Sequence, residues 1–209
     1  MVVQASIISR LEESRERGVE YLMGQQRADG AIGNPEKEGL GPYYKTLWAL
    51  TCAGRVAEAN RLASWITQDL LTDEGDFAGP LRGSLFDRSY AYPNAWLIIG
   101  AHKLGRYDIS RRGMEFLLLL HHETGGFRVE RDNEDAVQDV LNTAQGGNAC
   151  LTTGHVTEAK GVGRFLRTVY EAQPLPRTSG RRCTRSDTTR HGRPTSTWGS
   201  RRRSWPGWR

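Results

Sequence analysis

The sequence predicts an all-α protein made of repeated helix pairs in two concentric layers, and three observations carry that expectation. The motif in residues 15–32, RERGVEYLMGQQRADGAI, returns in residues 111–127, RRGMEFLLLLHHETGGF, as Arg-Gly, an apolar residue, Glu, an aromatic, Leu, a polar pair and Gly. Apolar residues recur at helical spacing, as in Val56, Ala59, Leu62, Ala63, Ile66 and Leu70, which share one face. No strand pattern competes with it.

Four charged amphipathic segments align on an aromatic–aliphatic pair, at Tyr21-Leu22, Trp65-Ile66, Phe116-Leu117 and Phe165-Leu166, with spacings of 44, 51 and 49 residues. Such a period marks a repeat architecture. Gly30, Gly75 and Gly125 are expected to stop the first three of these helices in the left-handed conformation of a C-terminal cap. Between them lie segments poorer in charge: residues 43–55 (YYKTLWALTCAGR), 92–106 (YPNAWLIIGAHKLGR) and 139–154 (DVLNTAQGGNACLTTG). Pro93 suits a first helical turn, where its missing N–H is no loss. Each segment ends in Gly followed by Arg or His and turns directly into the next charged helix. The low-charge segments are the expected inner layer and the charged ones the outer.

A chain of 209 residues with 37% hydrophobic and 25% charged residues has the composition of a soluble globular protein. Its longest apolar runs, residues 95–101 and 116–120, are too short to span a bilayer. The N-terminus lacks a basic leader and a small-residue cleavage site. Cys52, Cys150 and Cys183 are odd in number and far apart, which argues for reduced thiols and a cytoplasmic protein.

The net charge of +5 is unevenly spread. Residues 177–209 hold ten Arg and one Asp, a surplus of nine, which leaves the body before them at −4. That body offers no basic stripe for nucleic acid. The tail has no Leu, Ile, Val, Ala, Met, Lys or Glu, so no periodic apolar face, and is expected to be disordered. With 25 Arg against 4 Lys in the chain, its Arg/Thr/Ser/Gly/Pro/Trp mixture reads as a frameshifted end to a domain spanning residues 1–176. The alternative is a basic arm whose Trp198, Trp205 and Trp208 stack on nucleic-acid bases or meet acidic membranes.

Arg17-Gly18-x-x-Tyr21-Leu22-x-x-x-Gln26-x-x-x-Gly30-x-Ile32 resembles the QW repeat of squalene and terpene cyclases, and Arg112-Gly113-x-x-Phe116-Leu117-x-x-x-His121-x-x-x-Gly125-x-Phe127 resembles it again. Ile32 and Phe127 stand where the repeat has Trp, and His121 where it has Gln. The resemblance covers residues 5–176. It implies the α/α toroid shared by terpene cyclases and protein prenyltransferase β subunits. In that family the motif is structural, its Gln joining the end of an outer helix to the start of the next inner one. A closed toroid has about six hairpins and this chain supplies about three and a half, so an incomplete arc is expected. Its open inner-helix flanks, with Trp48, Leu50, Trp96, Ile98 and Ile99, should promote self-association.

In such a toroid the starts of inner helices face a central cavity. That places Tyr43, Tyr44, Tyr92 and Trp96 as candidate walls for an isoprenoid or other apolar small molecule, with Lys45, Asn94 and Thr143 beside them. The alternative is that these aromatics fill a core. Asp139, Asn142 and Asp87 are the candidate catalytic residues, and Arg88 and Tyr90 accompany Asp87.

The class II cyclase acid motif is Asp-x-Asp-Asp followed by Thr-Ala. Residues 139–144, DVLNTA, keep its frame but place Leu141 where the proton-donating Asp should stand. Residues 132–135, DNED, read as a solvated acidic loop. The scattered Cys and His residues do not suggest a zinc site, and no cofactor is implied. The expected protein handles an apolar small molecule without the class II acid. The alternatives are a non-catalytic scaffold or binding module, or an inactive fragment of a longer enzyme.

Overall fold

The computed structural model describes residues 2–39, 41–77 and 89–173, so the Arg-rich tail, Asp87 and Arg88 lie outside the described residues. Eight helices are present among them: α1 (Val2–Gly24), α2 (Pro35–Glu38), α3 (Thr46–Cys52), α4 (Val56–Asp69), α5 (Ala91–Leu104), α6 (Tyr107–Leu119), α7 (Val140–Thr153) and α8 (Val156–Glu171). The described residues form no strand, only isolated bridges such as Gln26 with Ile32 and His121 with Phe127. The all-α class therefore holds. None of the helices is long and apolar enough to cross a membrane.

The low-charge helices α3, α5 and α7 pack on one another in chain order. Of the charged helices, α4 packs on α3 and α5, α6 on α5 and α7, α8 on α7, and α1 on α3. With neighbours on every side, α5 buries nine of its 14 residues, including Leu97, Ile98 and Ile99. Close packing there depends on small residues: a Cβ at Gly100 would stand 2.9 Å from the Trp48 nitrogen, and one at Gly113 would stand 2.7 Å from Ile98.

Each low-charge helix turns directly into its charged partner through Gly54, Gly105 or Gly154, with φ of 75°, 85° and 86°. The next residue, Arg55, Arg106 or His155, donates its N–H back to Leu50, Ala101 or Cys150 at 3.0, 2.9 and 2.8 Å. This closes the helix end with a left-handed residue as glycine allows.

Gly30, Gly75 and Gly125 are also left-handed, but they are not helix caps. Each lies six residues beyond the end of α1, α4 or α6 and closes a four-residue turn. In every copy the glycine N–H returns to the first turn residue (Arg27, Thr72 or His122), whose own N–H donates to the residue after the glycine. The apolar residue that follows, Ile32, Phe77 or Phe127, is buried. The turn thus occurs three times, and the middle copy carries Leu71 in place of the Gln.

The Gln side chain also runs somewhere unforeseen. Gln26 Nε2 donates to the Gly30 carbonyl at 3.1 Å and to Glu58 O in α4 at 2.9 Å, while its Oε1 accepts from Arg61 at 2.8 Å. It therefore ties one charged helix to the next charged helix, rather than to the start of an inner one. A Cβ at any of the three turn glycines would collide with a backbone carbonyl of that following helix, at Arg61, Arg112 or Gly161.

His121 holds the Gln26 position in the third copy but leaves Nε2 buried without a partner, its ring edge-on to Phe127 at 5.1 Å. Burial pushes the His121 imidazole below its ordinary pKa. A depressed folded pKa means that the unfolded chain binds the proton first, so stability is full above the ordinary His value of about 6.5 and is lost as pH falls below it. His121→Gln should restore two carbonyl bonds, raise stability by about 1 kcal/mol and remove this acid-side loss. Thermal melts at pH 5 and 8 that coincide with the parent's would contradict that account.

Candidate functional site

Only part of the expected aromatic wall assembles. Tyr44 and Lys45 end the turn before α3, which starts at Thr46, three residues later than the expected helix. Trp48 lies in the first turn of α3, and Tyr92 and Trp96 lie near the start of α5. The rings form a chain: Tyr44 to Tyr92 at 5.9 Å, Tyr92 to Trp96 at 6.4 Å and Trp96 to Trp48 at 5.5 Å. Lys45 Nζ sits over three of them, 5.1 Å from Tyr44, 5.5 Å from Tyr92 and 5.6 Å from Trp96. Such distances permit cation–π attraction with each ring.

The cluster is partly open to solvent: Trp48 is 37% exposed, and Tyr44, Tyr92 and Trp96 are half-buried. Tyr43 is elsewhere. It is fully buried against Trp65 at 4.9 Å, its hydroxyl lacks a partner, and burial drives its pKa well up.

The electrostatics of the cluster follow from its contacts. The Tyr92 and Tyr44 oxygens facing Lys45 raise the pKa of its ammonium. Burial pushes the Tyr92 phenol up, but the Trp96 N–H and the Lys45 ammonium beside its oxygen outweigh that and lower it. The Trp96 N–H approaches that oxygen without reaching hydrogen-bonding geometry, so Nε1 stays buried and unbonded.

The register of the repeat adds one residue. Asn94 in α5 accepts the Phe77 N–H at 3.1 Å, and Thr143 in α7 accepts the Phe127 N–H at 3.0 Å. These two are therefore equivalent positions, and two residues further on Trp96 corresponds to Gln145. Gln145 is 7% exposed; its Oε1 accepts from Asn148 at 3.3 Å, and its Nε2 is buried with no partner.

Two candidate catalytic residues are engaged in holding the helix starts. Asp139 is the N-cap of α7, accepting the Asn142 N–H at 2.7 Å, and both its oxygens also accept from Asn142 Nδ2 at 3.1 Å. Asn142 is fully buried, and its Oδ1 accepts the Tyr92 N–H at 2.9 Å. A relay thus runs from Asp139 through Asn142 to the start of α5, satisfying N–H groups that helix ends leave free. Leu141, in the frame of the cyclase acid, is 52% exposed.

A second polar cluster has no counterpart in the sequence reading. Asp76, 1% exposed, accepts from the Tyr90 hydroxyl and from Arg131 at 3.4 Å. Arg131 also pairs with Glu74 and lies 5.3 Å from the Phe116 ring centre. It joins the turn after α4 to the segment after α6, and its members are too far apart in sequence to form a motif.

Cys150 is buried, and desolvation pushes its thiol up to about 12, so it is a packing residue rather than a nucleophile. Among the described residues, no three His, Cys, Asp or Glu side chains converge as a metal site would require. A cavity of about 130 Å³ beside α6, lined in part by Arg111, Met114, Leu118 and His155, holds none of the candidate residues. It is well below the roughly 300–1,000 Å³ of ordinary small-molecule sites. Comparison of the chain with protein-family models, with curated proteins and with solved structures finds no match.

Proposed function

We propose that the chain is an incomplete α/α toroid of the terpene cyclase and prenyltransferase type, and that the Tyr44–Trp48–Tyr92–Trp96 surface binds an isoprenoid or another apolar small molecule. The observation that carries this reading is the convergence of four aromatic rings, from α3, the turn before it and α5, on a partly open face. Rings of this kind supply apolar contact to a chain and π-density to its double bonds. The ordering of low-charge helices against one another, with charged helices outside them, supports the toroid arrangement.

The reading is of a binder without proton-initiated chemistry. Leu141 has no proton to give, and Asp139 spends its oxygens on Asn142. The protein is then a binding module, or the inactive portion of a longer enzyme.

Farnesol should quench tryptophan fluorescence saturably, and Trp48→Leu should weaken binding by about tenfold, the loss of one stacked aromatic contact. Squalene, oxidosqualene and geranylgeranyl diphosphate should yield no cyclic product. Absence of saturable quenching would sink the binding reading. A cyclic product that disappears in Asp139→Ala would overturn the assignment of Asp139 as a cap alone.

A further inference from the structure

The polar groups around the aromatic face are unusually one-sided. Lys45 carries the cluster's positive charge and makes no ion pair among the described residues. Trp96 Nε1 is a buried donor without a partner, and Gln145 Nε2 is a second, on a residue more than nine-tenths buried. Lys45, Trp96 and Gln145 each stand nine residues before a cap glycine, Gly54, Gly105 and Gly154, so they hold one register of three neighbouring repeats, and Lys45 Nζ already lies 5.6 Å from the Trp96 ring. Asp139, the carboxylate at the start of α7, is already bonded to Asn142. A buried donor left unbonded is costly, and two of them beside a lone ammonium call for an acceptor.

We infer that the face takes an amphiphile with a single negative charge, a carboxylate on an apolar chain, with the carboxylate held by Lys45, Trp96 Nε1 and Gln145 Nε2 and the chain lying on the rings. This deepens the proposed function and rests on it. One formal positive charge sets the charge of the head group at one. A carboxylate has two acceptor oxygens, enough for an ammonium and two N–H donors at once. A neutral alcohol offers one oxygen and leaves at least one of the donors unbonded. A cationic head would meet Lys45 with like charge.

The test is a tryptophan-quenching titration of the full chain with farnesoate, farnesol and farnesyl monophosphate, each below its aggregation concentration. Farnesoate should bind at least about tenfold more tightly than farnesol, the worth of a charge-assisted contact. Lys45→Met and Gln145→Met should each shrink the farnesoate preference, read as the ratio of the farnesoate and farnesol affinities within the same variant, and Lys45→Arg should keep it.

Equal binding of acid and alcohol would overturn the carboxylate assignment and leave the apolar reading standing. Failure of all three ligands would remove both. A farnesoate preference indifferent to Lys45 and Gln145 would place the head group elsewhere and sink the inference, and tighter binding of the dianionic monophosphate would overturn the single-charge assignment.

Discussion

Gly75→Ala should cost the fold about 2–4 kcal/mol, a large part of a typical domain stability of about 5–15 kcal/mol. Two penalties add there. The backbone is left-handed at φ 90°, where a side chain costs about 1 kcal/mol or more. The new Cβ would also stand 2.8 Å from the Arg112 carbonyl carbon, and closer still to its oxygen, in a helix that cannot retreat without unpacking from α5 and α7. Overpacking of this kind adds about 1–3 kcal/mol.

Gly105→Ala separates the two terms. It has nearly the same dihedral, φ 85°, but a Cβ there meets nothing within 4 Å, so only the cost of about 1 kcal/mol remains. Urea unfolding of both variants decides it. Equal losses would mean that the turn glycine matters only for its own conformation and that the tie to the following helix is not tight.

Asn142→Leu should be similarly damaging, at about 2–4 kcal/mol. It strands the Tyr92 N–H inside the protein and takes one donor from Asp139, and each stranded buried group costs about 1–3 kcal/mol. Because Tyr92 belongs to the aromatic cluster, the substitution should also shift tryptophan emission.

Asn142→Asp keeps an acceptor for Tyr92 but places a carboxylate against Asp139. Like charges raise the folded-state pKa of the pair, so this variant should be steadiest below the ordinary carboxylate range of about 4 and lose stability as pH rises through the raised value. A flat pH profile for Asn142→Asp, or an Asn142→Leu variant as stable as the parent, would refute the relay.

The sequence carried the helices well where periodicity and the Gly-Arg or Gly-His signal coincided, as at Gly105-Arg106 and Gly154-His155. It misplaced the start of α3 because Lys45 gives no capping signal of the Ser, Thr, Asp or Asn kind and makes no side-chain cap bond. The turn glycines are legible as left-handed positions but not as turns, since spacing alone cannot separate a helix cap from a turn six residues further on. The middle turn hid behind Leu71, which removes the polar signature and leaves the backbone pattern intact.

Of the candidate residues, Tyr44, Tyr92 and Trp96 meet because the residues leading into α3 lie against the first turns of α5, with Lys45 and Trp96 at one register of the repeat, whereas Tyr43, a neighbour in sequence, is buried in the core against Trp65. Gln145 was legible only through that register. Asp76 and Arg131, 55 residues apart, were not legible at all, because nothing local marks either as a partner.

The ties between described residues reach about one repeat along the chain, from Arg131 back to Glu74 or from Asn142 back to Tyr92. That locality has a consequence for descent. A module whose obligations extend only to its neighbours can be copied or dropped by recombination without rewriting the rest of the gene, and each surviving copy is then free to drift wherever its neighbour does not read it. The same turn bonds, kept with Gln26, Leu71 and His121 at the equivalent position of the three copies, show how much such freedom the turn allows.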